Sequence, residues 1–279
     1  MQAVRTRIAT LAALPWHVRI EGPSGSGKEV AARLLHQLSA CCNGPFVECD
    51  VNEMAEGLAI EDLRGHSRGA FTGAVSARAG VFEAAHGGTL FIDEIATASL
   101  TTQAALLKMV ERGRVHRMGE CRGRQFNIRI LFATNADLEE LVKQGQFRAD
   151  LLYRMGWLIL RMPALCQHRE DIPEIAGTIL SRLAREAGRD CPKLTRPALD
   201  RLIAYDWPGN VRQLEGALKE YVAFGKLPDL VRRPGRRPSE WRDHLDAVLE
   251  RNEGSVSAAA RELRVSRKAV YKGLRNRQA

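Results

Sequence analysis

Four groups of residues in this chain have types and spacings that could do chemistry. Gly22, Pro23, Ser24, Gly25, Ser26, Gly27 and Lys28 match the pattern G-x-x-x-x-G-K, and Glu29 follows directly. Glycines so spaced let backbone N–H groups wrap phosphate oxygens at a helix N-terminus, while the lysine reaches the outer phosphates. Asp93 and Glu94 close an apolar run. There one carboxylate can hold Mg2+ through water and its neighbour can orient an attacking water as general base. Asn135, after Thr134, ends another apolar run and could sense a γ-phosphate or position water, although an isolated asparagine is more often a turn residue. Arg148 and Arg154 flank an apolar stretch in FRADLLYRM and could reach a neighbouring subunit's γ-phosphate. Seen alone, that pair reads as solvated helix arginines.

Positioning such groups requires strands that end side by side. VRIEGPSGSGKEVAARLLHQL reads as a short strand, a Gly-rich turn and a helix with Val30, Leu34, Leu35 and Leu38 at helical spacing. GGTLFIDEI and IRILFATNADL read as further buried strands. Strands alternating with helices predict an α/β fold with a parallel sheet and ligands at the strands' carboxyl ends. These pieces do not separate a kinase from a GTPase or a motor.

The 279 residues allow one large domain or two to three smaller ones, and 45% hydrophobic with 27% charged residues describes a soluble globular chain. No apolar run approaches the ~18–20 residues of a membrane span, so no membrane partner is expected. The basic-then-apolar RTRIATLAALPWHV leads straight into the phosphate loop and reads as helix and strand rather than a signal peptide. Six cysteines (41, 42, 49, 121, 166 and 191) lack CxxC or metal-ligand spacing, which fits reduced thiols in a cytoplasm. Of the net charge of +9, Lys226 onward carries 14 Lys/Arg against 7 Asp/Glu, which leaves +2 for everything before it. A basic tail on a near-neutral body points to double-stranded DNA as a partner of the C-terminus.

The stretch GHSRGAFTGA lies between the phosphate loop and the acidic strand. A plain turn needs its glycines but not Phe71 beside Thr72. With GPSGSGKE, GAFTGA, GVFEAAHGGTLFIDEI, ATNADL, FRADLLYRM and YDWPGNVRQLE in that order, the chain resembles the AAA+ domain of bacterial enhancer-binding proteins, the activators of sigma-54 RNA polymerase. The resemblance implies an AAA+ P-loop NTPase fold with a helical lid, ATP and Mg2+ as ligands, and a homo-oligomeric ring, a hexamer in expectation. It also implies that Gly69, Ala70, Phe71, Thr72, Gly73 and Ala74 tip a loop that contacts the sigma factor and moves with the nucleotide. By the same resemblance Lys28 binds phosphate, Asp93 and Glu94 handle magnesium and water, Asn135 is sensor I, Arg148 and Arg154 are trans-acting fingers, and Arg212 is sensor II. A second loop near Arg117 and Met118 would accompany the first, and Glu29 is usual for the family.

Four features depart from the family pattern. Asp50 stands where an Asn usually pairs with the catalytic Glu, and two adjacent carboxylates would repel or share a proton. LCQHRED replaces a run of Arg-Glu-Arg and Ser67 replaces a Glu, and from the start of the sequence just before the phosphate-loop strand the expectation is a protein without a receiver or ligand-sensing domain.

Past the Pro/Arg-rich KLPDLVRRPGRRPSEW, the segment SVSAAARELRVSRKAVYKGLRNR reads as two helices and a tight turn. Ser266 N-caps the second helix, Val270 and Leu274 face inward, and Arg267, Lys268, Tyr271, Lys272 and Arg275 face phosphates and base edges of a major groove. This tail resembles the Fis-type helix-turn-helix domain. The bland alternative is a basic solvated hairpin, and Arg264 takes a turn position where the family favours Gly. The expected domains are an α/β nucleotide-binding subdomain at 1–163, a helical lid at 164–226, a basic linker at 227–240 and a three-helix DNA-binding domain at 241–279. The leading expectation is an ATPase that remodels promoter-bound polymerase. A DNA-binding regulator with impaired ATPase, and an unrelated AAA+ remodeller, are the alternatives.

Overall fold

A computed structural model of the chain describes residues 1–53, 59–70, 74–120 and 123–230, with 248, 249, 251, 252, 255, 256 and 258. The chain divides into two units, Met1–Leu230 and Val231–Ala279. In the first unit, α1 (Gln2–Ala12) and β1 (Val18–Glu21) precede α2 (Lys28–Gln37) and β2 (Phe46–Asp50). Then follow α3 (Ala59–Arg64), a two-strand ribbon of β3 (Gly65–His66) and β4 (Arg78–Ala79), α4 (Val81–Ala84) and β5 (Thr89–Asp93). The helix α5 (Leu100–Arg112) leads to a second ribbon, β6 (Arg114–Val115) with β7 (Arg124–Gln125), and then to β8 (Arg129–Thr134). Next come α6 (Leu138–Lys143), α7 (Ala149–Met155) and β9 (Ile159–Arg161), and finally the lid helices α8 (Ile172–Glu186), α9 (Arg196–Ala204) and α10 (Asn210–Phe224).

Five strands form one parallel sheet in the order β2-β5-β8-β1-β9. The strands read as continuous apolar runs because both faces are covered and neighbouring residues enter different cores. Leu90, Ile92, Ile130 and Phe132 pack with Leu106 and Met109 of α5, while Phe91, Leu131 and Ala133 pack with Val18, Ile20, Leu160 and Leu35 on the other face. Each such side chain contributes roughly 1.5–3 kcal/mol by leaving water. The register pairs Glu21 with Thr134 and Asp50 with Asp93, so the carboxyl ends of four strands form one rim.

The helix after the phosphate loop turns a different face inward than its leucines and valine suggest. Ala31, Ala32 and Leu35 are buried, whereas Val30 is 70% and Leu38 53% exposed. Small alanines let α2 approach the sheet closely, and that contact outweighs the wider Val/Leu stripe.

Arg129 opens β8 only 5% exposed. Its guanidinium donates to the carbonyls of Leu11 (2.7 Å), Ala12 and Trp16 (both 3.2 Å) and Leu35 (3.5 Å), so it caps the carbonyl end of α1 and ties it to α2. Burial pulls its pKa below the usual guanidinium value.

The lid has its own core of Leu180, Leu183, Leu202, Trp207, Leu214 and Leu218, with the Trp207 indole N–H on the Leu202 carbonyl at 2.7 Å. That core also takes in Leu227 and Leu230, so lid packing runs past residue 226 into the expected linker. The expected DNA-reading residues Arg267, Lys268, Tyr271, Lys272 and Arg275, like Arg264, lie outside the described residues. Among the described residues, no helix is long and apolar enough to cross a membrane.

Candidate nucleotide site and partner loops

The phosphate loop joins the end of β1 to the start of α2, whose unpaired N–H groups face the loop. Nothing lies within 4 Å of where a Cβ on Gly27 would stand, so the loop's inner side is open. The Ser26 hydroxyl is buried on the Gly22 side of the loop, 3.1 Å from where a Cβ on Gly22 would stand, and has no hydrogen-bond partner among the described residues. An open turn of N–H donors with an orphaned hydroxyl and a lysine fits a phosphate chain. Lys28 is itself buried; its ammonium donates to the Gly22 carbonyl at 3.2 Å and lies 3.7 Å from Glu94 Oε1. Glu29 turns away: its carboxylate pairs with Arg33 at 3.3 Å, and Arg33 also holds Glu48 at 2.8 Å. What Glu29 offers the loop is therefore its backbone N–H at the helix start rather than a magnesium ligand.

Glu94 follows β5 with a left-handed φ of 50°, a conformation that costs about 1 kcal/mol or more and swings its side chain out of the strand's alternation. Its carboxylate accepts from Asn135 Nδ2 at 3.4 Å. Asp93 ends the strand, and its Oδ1 accepts the Glu94 N–H at 2.9 Å. Among the described residues no cluster of three or more His, Cys, Asp and Glu could cage a metal. The donor set instead suits Mg2+, which is usually held by one or two carboxylates together with phosphate oxygens. Asp50 pairs in register with Asp93, and its carboxylate accepts the Asn52 N–H at 2.8 Å. The side chains in contact with the Glu94 carboxylate among the described residues are Lys28 and Asn135, and Asp50 stands in register with Asp93, the residue before Glu94.

Arg212 enters from the lid and donates to the Ser24 hydroxyl at 2.9 Å. Arg148 is held by Asp150 through two contacts of 3.0 and 2.7 Å, and its backbone N–H donates to Gln103 Oε1. Arg154 donates to the Glu111 carbonyl at 3.3 Å and borders a cavity of about 460 Å3 with Pro15, Trp16, His17 and Trp157. Those residues precede β1 and β9, so Arg154 sits at the end of the sheet opposite the phosphate loop. His17 accepts the Ile130 N–H at 3.1 Å. Burial and the nearby Arg154 and Arg129 push its pKa down to about 4.

Phe71, Thr72 and Gly73 lie outside the described residues, but both ends of their loop are described. The Gly69 N–H donates to the Ala74 carbonyl at 2.9 Å. Ser67 N–H and Ser67 Oγ both donate to the Met118 carbonyl at 3.0 Å, and the Met118 N–H donates to Gly65 at 2.9 Å. The two loops are thereby stitched at their bases. Glu83 of α4 anchors the second loop, accepting from Arg117 at 2.8 and 2.7 Å and from Arg124 at 2.7 Å.

Sequence reasoning did not single out Glu83, Arg129 or Asn210. Glu83 lies within GVFEAA and Asn210 within WPGNVRQLE, but the arginines that Glu83 holds are 34 and 41 residues further on, so no local pattern marks the contact. Nothing local marked Arg129, whose partners are backbone carbonyls.

Residues 1–161 match the Sigma-54 interaction domain family, residues 167–230 the AAA+ ATPase lid domain, and residues 242–275 the Fis family of bacterial regulatory proteins. The C4-dicarboxylate transport transcriptional regulatory protein DctD of Pseudomonas aeruginosa is 40% identical over 99% of this chain and 62% of its own length. Transcriptional regulatory protein ZraR of Salmonella typhimurium is 37% identical over 97% of this chain and 65% of its own. This chain thus spans just under two thirds of these relatives. The crystal structure of NtrX from Brucella abortus in complex with ATP superposes with a TM-score of 0.74 at 29% identity, over 99% of this chain and 67% of that one. With more than half of its length matched, the chain belongs to the sigma-54 interaction domain family of AAA+ P-loop NTPases.

Proposed function

We propose that this protein is an ATP-hydrolysing transcriptional activator, which binds DNA through residues 241–279 and works in the cytoplasm as a homo-oligomeric ring on sigma-54 RNA polymerase. The observation that carries the reading is the convergence of Lys28 at the start of α2 with Glu94 and Asn135 just past β5 and β8, with Arg212 reaching the loop from the lid. Lys28 would neutralise phosphate charge, and Asp93 would hold Mg2+ beside it. The metal, when bound, supplies charge neutralisation at the transferring phosphoryl group. Glu94 would take a proton from water, with Asn135 fixing its carboxylate. In such a ring Arg148 and Arg154 would act across a subunit boundary, as the family resemblance implies. The stitched loop bases support transmission from α4 and β5 to residues 69–74, where Phe71 and Thr72 would meet the sigma factor.

The test measures ATPase activity against protein concentration, followed by sigma-54 capture with an ATP transition-state mimic. Specific activity should rise with concentration. Thr72→Ala should keep hydrolysis and lose capture. Concentration-independent activity refutes the ring; full capture by Thr72→Ala refutes the contact.

A further inference from the structure

The outer turn of the phosphate loop makes contacts that phosphate binding does not require. Ser24 gives its carbonyl to Asn210 Nδ2 at 2.8 Å and its hydroxyl to Arg212 at 2.9 Å. The Val211 N–H donates to the Gly25 carbonyl at 2.9 Å. A Cβ on Gly25 would stand 2.5 Å from the Gly209 carbonyl oxygen and 3.0 Å from Arg212 Cβ. Gly25 is therefore bare because the lid lies against it. Asn210 is 3% exposed, and its Oδ1 accepts the Leu165 N–H at 2.9 Å, in the segment that joins β9 to α8. Its backbone has a left-handed φ of 51°, which Asn tolerates better than most residues. Both ends of one buried amide are thus committed, one to the lid's hinge segment and one to the phosphate loop.

We propose that Asn210 is a positioning residue that couples occupancy of the phosphate loop to the lid by reading the orientation of the Ser24–Gly25 peptide. A peptide unit is planar, so the Gly25 N–H and the Ser24 carbonyl turn together. Phosphate oxygens attract the loop's N–H groups; any rotation of the Gly25 N–H moves the Ser24 carbonyl against Asn210 Nδ2. The amide has no slack, because Leu165 holds its oxygen, and the Val211–Gly25 bond carries the same motion into the start of α10. This inference rests on the proposed ATPase and deepens it.

Asn210→Asp tests it. The substitution keeps the acceptor for Leu165 and the shape, but sets an anionic oxygen against the Ser24 carbonyl. At about pH 8 the KM for ATP and the Kd of a fluorescent ATP analogue should rise about tenfold, with kcat changed less. The carboxyl so introduced is buried, which raises its pKa, while the Arg212 guanidinium on the Ser24 hydroxyl limits the rise. At about pH 6 its protonated form donates again, and both constants should fall to within about threefold of the parent's. Asn210→Ala should show the same defect at both pH values. Unchanged constants in Asn210→Asp at the higher pH, or unchanged constants in Asn210→Ala, overturn the proposal. Should Asn210→Asp fail to fold, amide hydrogen exchange of the parent's 207–214 segment decides. Slower exchange with the ATP analogue bound supports the coupling, and equal exchange overturns it. A parent that binds no ATP overturns the proposed function and this inference together; a parent that turns over ATP beside indifferent variants overturns the coupling alone.

Discussion

Replacing Glu94 by Gln separates binding from hydrolysis at this site. Glu94 is fixed by its backbone, since its carbonyl accepts both the N–H and the hydroxyl of Thr97 at 2.9 and 2.8 Å. An isosteric amide should therefore leave the turn in place. What changes is one negative charge 3.7 Å from Lys28 Nζ. At an effective dielectric of about 20 that pair attracts by about 4–5 kcal/mol, most of which desolvation of the two groups offsets. A residue on the order of 1 kcal/mol remains, and its loss frees Lys28 for phosphate. ATP affinity should accordingly rise about three- to tenfold. Without the carboxylate no group at this position takes the water's proton, and turnover should fall about a hundred- to ten-thousand-fold. Equilibrium binding of a fluorescent ATP analogue, single-turnover phosphate release and a thermal melt on one preparation measure the three quantities. Turnover within about twofold of the parent would refute the general base. Weaker binding together with a lowered melting temperature would show that Glu94 serves structure instead.

Four further outcomes are expected. Arg129→Met strands the carbonyls at the end of α1 and should cost roughly 3–5 kcal/mol, read as a fall of about 10–15 °C in Tm. His17 has a folded pKa of about 4 against 6.5 unfolded, so the unfolded state takes up its proton first as the pH falls. Stability should drop by about 2–3 kcal/mol between pH 6.5 and about 4, and urea melts of His17→Asn should show a shallower loss. Arg148→Ala and Arg154→Ala should bind ATP as the parent does yet lose about a hundredfold or more in turnover; turnover held at the parent's level would return them to ordinary helix arginines. Deleting residues 241–279 should abolish specific DNA binding and spare ATP hydrolysis, as gel shifts and phosphate release on the same sample would report.

The parts of this molecule that were legible beforehand are those whose chemistry is local in sequence. Seven consecutive residues make the phosphate loop, and a strand-ending Asp93–Glu94 or Asn135 announces itself by where an apolar run stops. Burial on both faces explains why the strands could be found and also why the inward face of α2 could not: its docking is decided by Ala31 and Ala32, which carry little apolar signal of their own. Asn210 and Ser24 are 186 residues apart, so no periodicity links them. Asp50 shows the limit of carrying a role by resemblance. Its place at the strand end beside Asp93 follows from the strand pairing, whereas the Asn52 N–H that its carboxylate accepts is not readable from the motif.

Glu83 also has a mechanical meaning. One carboxylate on α4 grips Arg117 just after β6 and Arg124 at the start of β7, so both legs of the ribbon share a single mount. Met118, one residue past Arg117, is stitched to Gly65 and Ser67 at the root of the other loop. Under the proposed function, a displacement of α4 would carry both loop bases together, because Glu83 and the Met118 contacts tie them to one mount. On that reading, lengthening the ribbon by a residue pair would change the reach of the second loop while leaving the Glu83 mount and the nucleotide site as they are.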